Sequence, residues 1–271
     1  MCDTCGCNIT PGNEHLIAAG GKLEKTESGN EAVTVLHNLL HENDHTAQHN
    51  REHFNSHHVV AINLMSSPGA GKTALLEATI KALGDEFRLA VIEGDLETEN
   101  DAERIRSHGV TAVQITTGSA CHLDAHMVHD AVHQLDLSAL DIVFIENVGN
   151  LVCPASFDLG QHANVVLLSV PEGDDKPAKY PVMFRTADMV MLSKADLLPI
   201  LDDFSPERAE TYLRRLASAA PLIQTSAKSG DGMDDWLNWL RDTVEKSRLA
   251  AQDAPPLPAH HHHHDPVHSK P

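Results

Sequence analysis

Seven short apolar runs constrain the fold of this chain more than any other feature. Between Val59 and Arg248 the runs VVAINLM, RLAVI, TAVQIT, DIVFIEN, NVVLLSV, DMVMLS and PLIQT recur, separated by segments such as TALLEATIKAL and PERAETYLRRLASAA that carry helical periodicity. Near-continuous apolar strands suit a parallel sheet with both faces covered by helices, and strand and helix in alternation build such a sheet. The expected fold class is therefore α/β, a doubly wound, mostly parallel sheet over residues 59–248. The flanks have another texture. Residues 1–58 read as a flexible Cys- and His-rich arm, and residues 249–271 as a disordered tail rich in proline and histidine.

Composition narrows the partners. A formal net charge of -19 and only 4% aromatic residues argue against a nucleic-acid partner. No apolar run approaches the roughly 18 residues that cross a membrane, and no secretory pattern opens the chain, so no membrane partner and a cytoplasmic location are expected. Three of the five cysteines, Cys2, Cys5 and Cys7, lie in the first seven residues. Three is an odd number for disulfides, and clustered thiols in a reducing compartment point to metal or catalysis.

The first strand runs into SSPGAGKT, Ser66 to Thr73, which matches the phosphate-binding pattern G-x-x-x-x-G-K-[ST] except that serine takes the first glycine's place. Strand, loop, lysine, hydroxyl and helix follow in the order of a P-loop GTPase domain (SIMIBI-like); a plain glycine-rich turn is the alternative. Gly69, Ala70 and Gly71 supply backbone N–H groups, Lys72 reaches the β and γ phosphates, Thr73 holds Mg2+, and Ala74 continues the helix whose N-terminus favours anions. Asp95, just after the second strand, and Glu146, closing the fourth, are the expected catalytic acids: Asp95 as a Mg2+ ligand, Glu146 orienting the ion or the attacking water. Asp101 competes for the metal role. LSKAD, with Lys194 and Asp196, resembles the guanine motif N-K-x-D with Ser193 in place of asparagine. TSAK, with Ser226, Ala227 and Lys228, resembles the further base-contacting loop, so GTP is expected over ATP.

Cys121 and His122 follow the third strand, and Cys153 follows the fourth. Loops at the carboxyl ends of parallel strands gather at one edge, so the three would form a soft site for Zn2+ or Ni2+ beside the phosphates. The alternative is two small buried hydrophobes. In CHLDAHMVHDAVHQL, His122, His126, His129 and His133 fall within about 60° on a helix, opposite an apolar side that docks on the sheet. That stripe is expected to face solvent or another subunit, with His122 and His126 close enough to chelate.

Taken together, MCDTCGC, SSPGAGKT, the Cys-His pair and ENVGNLVCP resemble the nickel-handling hydrogenase maturation GTPases, the HypB family. The resemblance implies a cytoplasmic, homodimeric protein that binds GTP and Mg2+. It further implies that the protein helps deliver Ni2+ to the large subunit of nickel-iron hydrogenase alongside a zinc-containing chaperone. By the same resemblance, Cys2, Cys5 and Cys7 match a tight nickel site, and Cys121, His122 and Cys153 a weaker one near the dimer interface. Physically, three thiolates on a flexible tether can wrap Ni2+ without a prebuilt fold and release it by ligand exchange. A structural zinc knuckle is the competing reading.

His37, His41, His45, His49, His53 and His57 recur at every fourth residue, with His58 adjoining. As a helix this row could clasp divalent ions pairwise, although it drifts around the axis and, with few apolar neighbours, is expected to be weakly ordered without metal. Nickel storage and a polar linker are both open. The run His260 to His264 reads as a purification tag or as a second store. Two other classes stay in view: a metal-storage protein indifferent to loss of Lys72, and an ATP-dependent enzyme on a small molecule.

Overall fold

The computed structural model describes residues 30–95, 100–118 and 120–253, with side chains described from 39 to 250. Cys2, Cys5, Cys7, His37 as a side chain, and His260 to His264 lie outside the described residues.

The expected strands form, in chain order, β1 (Val60–Ser66), β2 (Leu89–Asp95), β3 (Thr111–Thr116), β4 (Ile142–Glu146), β5 (Ala163–Ser169), β6 (Met189–Ser193) and β7 (Leu222–Gln224). They make one sheet in the order β3-β2-β4-β1-β5-β6-β7, and every neighbouring pair is parallel. The chain turns from one half of the sheet to the other around β1 and β4, so the loops leaving their carboxyl ends share one crevice, the usual place for a ligand in such sheets.

The helices are α1 (Asn30–Ser56), α2 (Lys72–Leu83), α3 (Asn100–Arg106), α4 (Ala125–Val132), α5 (Lys176–Lys179), α6 (Pro181–Arg185), α7 (Pro206–Arg215) and α8 (Met233–Asp253). Alternation along β1 assigns the layers. Val60, Ile62 and Leu64 pack with Leu76 of α2, Ile105 of α3 and Trp236 of α8. Ala61 packs with Phe54 of α1 and Val128 of α4, and Met65 with Phe184 of α6 and Leu213 of α7. Each fully buried side chain of this size stabilises the fold by about 1.5–3 kcal/mol. The indole N–H of buried Trp236 donates to Thr79 Oγ1 at 2.8 Å, so the largest core side chain leaves no polar atom unpaired.

Helix α1 departs from the flexible arm expected over residues 1–58. From Leu39 onward it packs on the domain, with Leu39, Asn43, Thr46, Ala47, Asn50 and Phe54 buried at helical spacing. Its seam sets buried polar contacts among the apolar ones. Asn43 accepts from Ala125 N at 2.9 Å and donates to Asp158 O at 2.8 Å; Asn50 donates to Ala125 O at 2.8 Å and Leu159 O at 3.2 Å. Arg51 pairs with Asp158 at 2.7 Å. A count of apolar residues cannot register a helix held this way, because its hold comes from satisfying buried backbone groups of the partner. No helix among the described residues is long and apolar enough to cross a membrane.

Candidate functional site

The chain leaves β1 through a tight loop in which Gly69 and Gly71 take φ of +74° and +100°, a backbone region costly for any side-chain-bearing residue. That turn starts α2 directly at Lys72. Lys72 Nζ donates to Ser66 Oγ at 3.2 Å, so the serine in the first motif position serves as a rest for the lysine. Thr73 Oγ1 donates to Glu146 Oε1 at 2.9 Å, joining phosphate loop to strand β4.

Beside the loop lies a cavity of about 270 Å3 lined by Ala70, Gly71, Ala74, Asp196, Ser226 and Lys228, among others. Ser193 Oγ donates to Ala70 O at 2.7 Å, and Lys194 Nζ to Gly69 O at 2.7 Å. The departure from asparagine at 193 thus keeps one hydrogen bond between the base-side loop and the phosphate loop. Ser226 Oγ donates to Asp196 Oδ1 at 2.8 Å, holding that carboxylate at the cavity wall together with Ala227.

The acids converge in a set that differs from the expected pair. Glu93, Asp101 and Glu146 bring carboxylate oxygens within 4.8 Å of one another, whereas Asp95, at the end of β2, is not among these three. Residues 96–99 between them are outside the described residues. Burial pushes the Glu93 carboxyl up to about 8, reinforced by the negative charge of Glu146. Burial likewise lifts Glu146 to about 7, opposed by Lys72. Each keeps one buried oxygen, Oε2, without a hydrogen-bond partner. Hard oxygen donors clustered beside a phosphate loop, with Thr73 adjoining, fit Mg2+. Glu93 escaped sequence reading although it carried a signal, a carboxylate inside the apolar strand LAVIEGD two residues before Asp95.

The soft ligands also assemble. Cys121 Sγ donates to Cys153 Sγ at 3.1 Å, His122 Nδ1 lies 3.9 Å from Cys121 Sγ, and all three residues offer donor atoms within 4.8 Å of one another. Both thiols are half-buried, so the reading of Cys121 and Cys153 as fully buried hydrophobes does not hold. Burial, then the neighbouring Cys153, push the Cys121 thiol up to about 11. Burial lowers His122 to about 4, which keeps its imidazole neutral and ready to ligate. Its ring stacks on Phe157 at 4.0 Å, and its Nε2 is buried without a partner. Two thiols with a neutral imidazole beside them fit Zn2+ or Ni2+.

Two expectations about α4 are corrected. The helix begins at Ala125, with Asp124 Oδ1 accepting from Met127 N at 2.8 Å, so His122 precedes it and does not pair with His126. His126 Nε2 instead meets Thr46 Oγ1 at 3.3 Å, and the histidine stripe faces α1. In the loop after β5, Asp174 is buried and takes Arg208 Nε at 2.8 Å, while Asp175 pairs with Lys179 at 2.6 Å.

Asn147 connects the two clusters. It follows Glu146, is 1% exposed, and its Oδ1 accepts from Leu123 N at 3.2 Å, the residue after His122. Its amide donates to Asn63 Oδ1 on β1 at 3.3 Å. Two residues on, Gly149 presses against the phosphate loop so closely that a Cβ there would lie 2.8 Å from Pro68 Cα. Asn150 Nδ2 then donates to Cys121 O at 3.2 Å.

Fold and site define a P-loop nucleotide-binding domain with a thiol and imidazole cluster tied to its phosphate loop. Residues 60–224 match the family described as CobW/HypB/UreG, nucleotide-binding domain. The chain is 51% identical over 222 residues to the hydrogenase maturation factor HypB of Azotobacter vinelandii, covering 81% of this chain and 73% of that protein. It is 52% identical over 202 residues to the HypB of Escherichia coli K12, covering 74% and 69%. The crystal structure of HypB from Helicobacter pylori in complex with nickel superposes with a TM-score of 0.72 at 43% identity, covering 80% of this chain and all of that one. The chain belongs to the HypB family of hydrogenase maturation factors.

Proposed function

We propose that the chain is a GTP-hydrolysing nickel metallochaperone in which nucleotide state sets the affinity of the Cys121, His122 and Cys153 site. The observation that carries this reading is the hydrogen bond from Leu123 N to Asn147, which joins the residue after the soft ligands to the residue after Glu146. A carboxylate that moves with the nucleotide takes Asn147 with it, and Asn147 takes the backbone that aims His122.

In this mechanism Gly69, Ala70 and Gly71 wrap the phosphates with backbone N–H groups, and Lys72, resting on Ser66, supplies the compensating charge. Asp196 accepts the guanine N1 and N2 protons, with Ser226 holding the carboxylate in place and Ala227 and Lys228 closing that side. Thr73, Glu146, Glu93 and Asp101 would hold Mg2+, with Asp95, at the end of the same strand as Glu93, acting through a water. Bound there, Mg2+ supplies neutralisation of phosphate charge. Glu93 and Glu146, raised toward neutrality, give up their protons as a cation arrives and recover them as it leaves. Glu146, pinned by Thr73, then orients the attacking water.

Ni2+ is cargo in this reading, taken by Cys2, Cys5 and Cys7 and by the Cys121 cluster, with Zn2+ competing for the latter. The receiving partner is the hydrogenase large subunit, aided by a zinc-containing chaperone, and the working form is a homodimer. The nickel-bound HypB of Helicobacter pylori supports the choice of ion. The test is paired. Lys72→Ala should abolish GTP hydrolysis while sparing nickel binding at the cysteines, and Cys121→Ser/Cys153→Ser should remove nickel–thiolate absorption from that site while sparing basal hydrolysis. ATP hydrolysed as fast as GTP, or nickel binding indifferent to the cysteine changes, would contradict the proposal.

A further inference from the structure

Helices α1 and α4, with the residue that follows each, bring together six histidines that neither the phosphate pocket nor the Cys121 cluster uses. The ring of His49 stands 5.1 Å from that of His129, His53 stands 5.7 Å from His133, and His129 stands 4.4 Å from His133. His57 and His126 flank them, His57 with its ring 5.0 Å from that of His53.

One pair is aimed. His129 Nδ1 meets Asn50 Oδ1 at 2.9 Å, and the Asn50 amide is already spent on Ala125 O and Leu159 O. The Asn50 oxygen must therefore accept, which places the His129 proton on Nδ1 and leaves Nε2 with a lone pair. That lone pair faces His133 Nε2 at 3.0 Å. An imidazole fixed through one nitrogen by a side-chain oxygen while the other points at a second imidazole is the arrangement that orients metal-binding histidines. Two nitrogens 3.0 Å apart, each at about 2.0–2.1 Å from one ion, subtend roughly 95°, near a square-planar or octahedral right angle rather than a tetrahedral one. His53 Nδ1 is buried without a hydrogen-bond partner.

We propose that His129 and His133 form the core of a divalent-cation site of nickel type between the helices, completed from α1 by His53 and His49 on side-chain rotation. The ion replaces the hydrogen bond between His129 and His133 and fastens α1 to α4. Its existence does not depend on the nucleotide reading, and its ligands are distinct from the thiolates.

The test is amide hydrogen exchange of the full chain with and without Ni2+, followed over residues 45–57 and 126–133. At free nickel ten times the dissociation constant, exchange that requires the helices to part should slow about tenfold. His129→Ala/His133→Ala and His49→Ala/His53→Ala, altering opposite helices, should each lose that protection. Nickel–thiolate absorption should persist in both, which keeps the cysteine sites separately visible. Should the double changes disturb folding by circular dichroism, His133→Ala alone, at an exposed position, gives the same reading. Nickel protection that survives these changes, or no protection in the unaltered chain, overturns the proposal.

Discussion

Replacing Asn147 with alanine isolates the connection on which the account depends. Its side chain takes N–H groups of Leu123 and Val148 at 3.2 and 3.0 Å and gives one hydrogen bond to Asn63 at 3.3 Å, all at 1% exposure. Asn147→Ala leaves those partners buried and unsatisfied. At about 1–3 kcal/mol each, reduced where a water enters the vacated volume, the expected loss is about 2–5 kcal/mol of folding stability. The assay is urea denaturation read by fluorescence of Trp236 and Trp239, run beside nickel affinity at the thiolates. Thr79→Val is the control, since it strands the Trp236 N–H on the opposite face of the sheet and should cost about 1–3 kcal/mol without touching metal affinity. Asn147→Ala should weaken nickel binding at Cys121 and Cys153 in addition to destabilising the fold. A stability loss below about 1 kcal/mol, or metal affinity that falls equally in both variants, would refute the reasoning.

The raised Glu93 and Glu146 carboxyls hold their protons more tightly folded than unfolded. Without Mg2+, stability should therefore fall as pH rises from about 4.5, the unfolded value, through about 7 and 8, and Glu93→Gln should flatten most of that decline in urea midpoints. Mg2+ should in turn bind more tightly at pH 8 than at pH 6. With Cys121 raised to about 11 and His122 neutral, nickel binding at that site should release the Cys121 thiol proton and none from imidazole, measurable by calorimetry in buffers of different ionisation enthalpy. Asn50→Ala strands Leu159 O and removes the side-chain bond to Ala125 O; amides of 39–56 should exchange faster, with a cost of about 1–3 kcal/mol. Gly149→Val should weaken nucleotide binding, because a side chain there collides with Pro68.

The parallel sheet was legible because each strand is an apolar run long enough to be covered on both faces, and the phosphate loop because its chemistry requires a fixed spacing. The thiol and imidazole cluster followed from topology, since β3 and β4 deliver Cys121 and Cys153 to one edge of the sheet. Helix α1 was misread because Asn43 and Asn50 hold it through backbone groups of residues far along the chain, and no local pattern encodes a partner's unsatisfied carbonyl. The facing of His129 and His133 was missed for the same reason: periodicity fixes which residues share a stripe, and only tertiary packing says what the stripe meets. Asn147 lay in plain view in ENVGN, but its role depends on Leu123 reaching it across the sheet edge.

The most direct measurement is the nickel dissociation constant at the Cys121 cluster, read by thiolate absorption with Cys2, Cys5 and Cys7 changed to serine, once with GDP and Mg2+ and once with a nonhydrolysable GTP analogue. A coupling of about 1–3 kcal/mol predicts constants about 5- to 150-fold apart, with nickel shifting nucleotide affinity by the same factor. Equal constants in the two nucleotide states would contradict it.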